Sequence, residues 1–96
     1  MKEHIVKCWP EFFERAWKGE KPFEMRKNDR DYRQGDRITL QEWDPTLSEY
    51  SGRWLSGEIT FLAADVPMFG LMDGFCAFAW REEGRGPGGA PAHAGG

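Results

Sequence analysis

The stretch from Gly19 to Tyr32 (Gly-Glu-Lys-Pro-Phe-Glu-Met-Arg-Lys-Asn-Asp-Arg-Asp-Tyr) gathers the densest set of side chains able to do chemistry. Between Lys21 and Arg37 lie six bases (Lys21, Arg26, Lys27, Arg30, Arg33, Arg37) and four acids (Glu24, Asp29, Asp31, Asp36), a local excess of positive charge in a chain of net charge −3. Charge runs are usually solvated faces, where exposed ion pairs contribute little. Two features set this one apart. Phe23 and Met25 alternate with Glu24 and Arg26, so a strand here gives the core an apolar face and turns Glu24 and Arg26 toward a barrel interior or its mouth. Asn28-Asp29-Arg30-Asp31 then follows in a loop, the setting in which side chains converge on a ligand.

Other chemistries find less support. Cys8 and Cys76 each sit in an apolar run, which reads as two buried thiols rather than a disulfide framework. His4 and Cys8 share a strand face with no second ligand pair nearby, so no metal site is expected, and no cofactor either. The pI of about 5.4 argues against a generally basic nucleic-acid coater but leaves room for a local basic cleft. No apolar stretch approaches the roughly 18 residues that span a membrane, and Met1 to Lys7 lacks the apolar region of a signal peptide. The expected setting is cytoplasmic.

The elements that must position these residues are short. His4 to Cys8 alternates and is β-branched, a first strand. Pro10, early Glu11 and Glu14, late Lys18 and then Gly19 mark a helix of about nine residues, with Phe12, Phe13, Ala16 and Trp17 as its buried stripe. Lys21 to Lys27 reads as a second strand and Arg37 to Trp43 as a third. Asp44-Pro45 and Ser51-Gly52 bracket a hairpin loop. Arg53 to Ala63 follows as a long strand, irregular at Gly57. Val66 to Gly74 is an apolar-tipped loop, and Phe75 to Trp80 closes the set. From Gly84 the chain is mostly Gly, Pro and Ala, too poor in large apolar groups to order itself. The expected organisation is one domain over residues 1–83 and a disordered tail over 84–96. The class is α+β: about five or six strands and one short N-terminal helix, in a sheet protected at its edges by curling into a small barrel.

Gly19-x-Lys21-x-x-Glu24-x-Arg26, placed after a short helix and followed by Lys27-Asn28-Asp29-Arg30-Asp31-Tyr32 and Gly35-Asp36, resembles the ASCH domains of the PUA-like superfamily. The wider pattern is similar to an uncharacterised bacterial and phage branch of that group; it also takes in His4, Lys7, Pro10, Phe13, Glu42-Trp43 and Tyr50-Ser51-Gly52-Arg53 and covers about Met1 to Trp80. The resemblance implies a PUA-like β-barrel with RNA or a nucleotide as ligand, held in a cleft beside the helix by Lys21, Glu24 and Arg26. An arginine makes planar bidentate contacts with phosphate or a base edge, a glutamate accepts from an exocyclic amine, and a lysine adds a mobile charge. One ASCH relative is an amidohydrolase with a lysine-activated threonine, but that position falls on Glu24 here, and a carboxylate does not replace a hydroxyl nucleophile.

The leading expectation is therefore a module that binds RNA or a nucleotide, its cleft lined by Lys7, Lys21, Glu24, Arg26, Asn28 and Arg30. Trp43, opposite Ile38 and Leu40 by alternation, is the favoured stacking platform, with Tyr32, Tyr50 and Trp54 as further candidates. Phe12, Phe13, Trp17, Phe61 and Phe78 are assigned to the core. The alternatives are a hydrolase of RNA or a modified nucleoside acting through Lys21 and Glu24, and a protein-interaction domain using Val66 to Phe75.

Overall fold

In the computed structural model, which describes residues 1–21, 23–64 and 73–86, alternating segments form five strands and Pro10 opens one helix. Along the chain run β1 (Glu3–Cys8), α1 (Pro10–Trp17), β2 (Phe23–Lys27), β3 (Arg37–Asp44), β4 (Glu49–Ala64) and β5 (Phe75–Gly86). One sheet joins the strands in the order β1-β3-β4-β5-β2. The β1–β3 pair is parallel and the other three pairs are antiparallel. The sheet curls into a half-barrel, which leaves β1 and β2, strands from opposite edges, on either side of one cleft.

The curl has local causes. The β4–β5 register shifts between Ser56 and Gly57 and again between Ile59 and Phe61, and each such irregularity bends a strand and increases its twist. At Gly57 the two strands approach so closely that any Cβ would collide with the Arg81 carbonyl. The irregularity expected there is present.

The concave side holds the core: Val6 and Cys8 from β1, Phe13 and Ala16 from α1, Ile38 and Leu40 from β3, Leu55 and Ile59 from β4, and Cys76, Phe78 and Trp80 from β5. Full burial of a side chain such as Phe13, Leu40 or Phe78 contributes about 1.5–3 kcal/mol. Both cysteines are free and buried. Helix α1 has proline in its first turn beside Glu11, Arg15 in its last turn and Gly19 beyond its end at φ 77°, a glycine conformation that lets the chain turn back. Phe13 and Ala16 face inward, but Phe12, expected in the core, is 47% exposed.

The alternation expected in β2 is present and turns Glu24 and Arg26 inward as expected, but Phe23 and Met25 do not join the core. Glu24 pairs with Phe78 and Arg26 with Cys76, and because cross-strand partners share a face, these polar residues enter the concave side. Phe23 and Met25 pair with Ala79 and Ala77 and are exposed on the convex side. Phe61, also assigned to the core, stands on that side, paired with Ala79 and 62% exposed.

Tyr32 and Trp54, two of the stacking candidates, are buried instead. Tyr32 lies between the rings of His4 and Phe78, 4.6 and 5.3 Å from their centroids. Strand β5 continues six residues beyond Trp80, pairing Gly84, Arg85 and Gly86 with Ser56, Leu55 and Trp54, so the ordered domain passes the expected boundary at residue 83. The remainder of the expected tail, 87–96, lies outside the described residues. So does most of the apolar loop proposed as an interaction surface, 65–72.

Candidate functional site

The cleft between β1 and β2 owes its shape to the way each strand meets the sheet. Among the described residues, strand β1 pairs only with β3 and β2 only with β5, and across the gap the two strands share no ladder. A side chain takes the place of the missing ladder: Arg26 Nη2 donates to the Lys7 carbonyl at 2.8 Å. The space has a volume of about 760 Å³, within the range of sites that hold one small ligand.

Glu24 is the anchor of the cleft. Its side chain is 5% exposed, and both carboxylate oxygens are engaged: Lys21 Nζ donates to Oε1 at 2.6 Å and Arg26 Nε to Oε2 at 3.2 Å. Lys21 reaches it because the residue lies in the connection before β2 rather than in the strand, and so escapes the alternation that would send it to the other face. One carboxylate thus fixes two cations, through charge-assisted hydrogen bonds stronger than neutral ones. The guanidinium Nη1 of Arg26 and two ammonium protons of Lys21 are not used by these bonds.

Around this trio the cleft is lined by Lys7, Lys27 and Arg30 as further cations and by Asp29 as a second carboxylate. Lys7 holds its ammonium 3.9 Å from the centroid of the Trp43 ring. Trp43 in turn meets Tyr50 edge-on at 4.8 Å. Tyr50 lines the cleft, and Trp43 stands behind it. Asn28 is not among the lining residues; its side-chain oxygen accepts the Tyr32 amide at 3.2 Å and its own amide donates to the Gly74 carbonyl, so it braces the loop. Cys8 lines the cleft too, but burial, aided by the Glu24 charge, pushes its thiol up to about 11. It stays protonated at neutral pH and is a poor nucleophile.

Of the expected site residues, then, Lys7, Lys21, Glu24, Arg26 and Arg30 come together, while Trp43 touches Lys7 from outside the lining and Asn28 holds the loop. Sequence reasoning missed Trp9 and Phe12, two half-exposed aromatics on the cleft wall. The signal was available: Trp9 directly precedes Pro10 and caps the helix, a position outside the buried stripe. Phe12 was misplaced because it falls just off the line of Phe13, Ala16 and Trp17.

A second polar cluster forms around Glu42, at the same end of β3 as the cleft. Arg53 donates to both oxygens of Glu42, at 2.9 and 3.0 Å, and to Glu14 at 2.9 Å, while Ser51 donates to Glu42 at 2.6 Å. The Arg53 hydrogen bond pulls the Glu42 carboxyl below its ordinary range against the effect of burial. With every strong group in it paired, this cluster ties α1 to the sheet. Among the described residues no three metal-ligating side chains gather, and no helix is long and apolar enough to cross a membrane.

Fold and site together define a small half-barrel domain whose open seam is framed by a carboxylate clamping two cations. The chain belongs to the family described as Domain of unknown function (DUF3850), whose model matches residues 3–79, from β1 into β5. It is also similar to the uncharacterised 12.9 kDa protein in the GpA 3′ region of Escherichia phage P2, with 37% identity over 59 residues. That match covers 62% of this chain and 52% of the phage protein, so it spans about half the length of that relative.

Proposed function

We propose that this domain binds RNA or a nucleotide in the seam between β1 and β2. The observation that carries the reading is the clamp on Glu24, which presents Lys21 and Arg26 side by side with donors that these bonds do not use. Five cationic side chains and two carboxylates line the cleft, a balance suited to a phosphate-bearing ligand even in an acidic chain. Exposed Trp9, Phe12 and Tyr50 offer the faces on which bases stack. The ASCH and PUA-like resemblance of the Gly19-to-Tyr32 motif points the same way, as an analogy of pattern.

With one hydrogen bond accepted at each oxygen, Glu24 positions Lys21 and Arg26 and keeps lone pairs able to accept from an exocyclic amine.

A hydrolase is the second reading, favoured by the 2.6 Å contact between Lys21 and Glu24, a pair able to exchange a proton. Among the described residues lining the cleft there is no serine, threonine or histidine, and the hydroxyls present are those of Tyr32 and Tyr50, so hydrolysis stays the second reading.

The test is calorimetric titration of the folded protein and of Arg26→Ala with mononucleotides and short single-stranded RNA. The substitution is expected to weaken binding by about 1–3 kcal/mol. Equal affinity of the two proteins would refute the clamp as binding site, and turnover of the titrant that disappears in Lys21→Ala would promote the hydrolase.

A further inference from the structure

The convex side of β2, β5 and β4 carries an apolar surface that the core does not use. Phe61, Ala79 and Phe23 form one row across the three strands, and Ala63, Ala77 and Met25 form the next. Phe23, Met25 and Phe61 are 44%, 67% and 62% exposed. Strands lie about 4.8 Å apart, so Phe61 and Phe23 stand roughly 10 Å apart with only the Ala79 methyl between them. That leaves a shallow seat for a flat ring, walled on two sides by phenyl groups.

This surface is continuous with the cleft. Met25 and Lys27, which point to the convex side, also line the cleft, so the concavity wraps over the edge of β2. Lys21 stands at the corner. Its ammonium is hydrogen-bonded to Glu24 inside and lies 5.9 Å from the Phe12 ring on the cleft wall and 5.5 Å from the Phe23 ring outside. Lys27 extends the cationic edge along the same strand, and Glu58 of β4 is ion-paired to Arg81 at 3.1 Å.

Resting on the reading of the cleft as a nucleotide site, we infer that the ligand is a single strand of several nucleotides rather than a mononucleotide. One nucleotide occupies the cleft, the backbone crosses the edge of β2 along Lys21 and Lys27, and the next base stacks against Phe23 and Phe61. Aromatics displayed on an open sheet serve single-stranded RNA by stacking elsewhere, and stacking tolerates any base.

The experiment measures affinity for fluorescent uridine monophosphate and for uridylate oligomers of two, four and eight nucleotides, using the full chain, Phe61→Ala and Phe23→Ala, with circular dichroism to verify folding. Because Phe61 and Phe23 are exposed, both variants are expected to fold. The tetramer should bind the parent more tightly than the monophosphate. Phe61→Ala should lower tetramer affinity about tenfold while leaving monophosphate affinity unchanged. Affinity independent of length, or a tetramer affinity unaffected by Phe61→Ala, overturns the inference and leaves the cleft reading standing. A parent protein that binds neither probe overturns the cleft reading itself. If Phe61→Ala instead converts a sedimenting dimer to a monomer with RNA affinity unchanged, the surface is a contact between copies, and the inference fails.

Discussion

Two carboxylates, Glu24 and Asp36, organise this domain at the scale of single residues. Glu24 gathers Lys21 and Arg26 at the cleft. Asp36 closes the loop before β3: its side chain accepts from the Lys2 and Arg33 amides at 3.0 and 3.1 Å and meets His4 Nε2 at 2.8 Å. Burial by itself would raise the Asp36 pKa, but the hydrogen bonds from His4, Lys2 and Arg33 prevail and hold it below the ordinary value. A carboxylate depressed in the folded state stabilises the fold above its unfolded pKa, near 3.9, and that stability is lost as pH falls through the folded value. Asp36→Asn is therefore expected to cost about 1–3 kcal/mol at pH 7, and the deficit should shrink below about pH 4. Urea unfolding of both proteins at pH 7 and pH 3 measures this; a deficit of equal size at both pH values would contradict it.

At the scale of elements, what sequence could reveal depended on how locally each feature is determined. Helix α1 was legible because Pro10, Glu11 and Gly19 act within one or two turns. The period of β2 and the inward turn of Glu24 and Arg26 were legible for the same reason, but the exposure of Phe23 and Met25 was not. Which face of Phe-Glu-Met-Arg-Lys points inward is decided by register with β5, where Glu24 meets Phe78, and a one-residue change of register inverts every side chain. The usual rule of apolar inside failed here because the concave side at β2 is the cleft. The end of β5 was missed because Gly84 and Gly86 look like linker residues, yet their lack of a side chain is what the packing needs: a Cβ on Gly86 would collide with the Trp54 ring. Arg85 adds a hydrogen bond to the Trp17 carbonyl at 2.9 Å and lies 4.2 Å from the Trp17 ring. A chain ending at Glu83 should consequently melt at a lower temperature than one ending at Gly86. Equal melting temperatures in differential scanning calorimetry would show that these last three residues carry no stability.

The whole molecule explains why a site of this kind forms in so short a chain. A parallel β1–β3 pair on one edge and an antiparallel β2–β5 pair on the other bring residues near positions 7 and 26 together without closing the barrel. The motif in the sequence named most of the residues on the β2 side, and Lys7 on the other, but the seam itself was invisible, since it arises from strand order and from the bends around Gly57. The central claim is that ligand enters this seam. It is tested most directly by recording amide chemical shifts of the isotope-labelled protein during titration with a single-stranded RNA tetramer. The largest changes are expected at Lys7, Lys21, Glu24, Arg26 and Arg30, with smaller ones on the Arg37–Glu83 pair at the other end of β3. Changes absent from the seam, or concentrated at Arg37 and Glu83, would contradict the account.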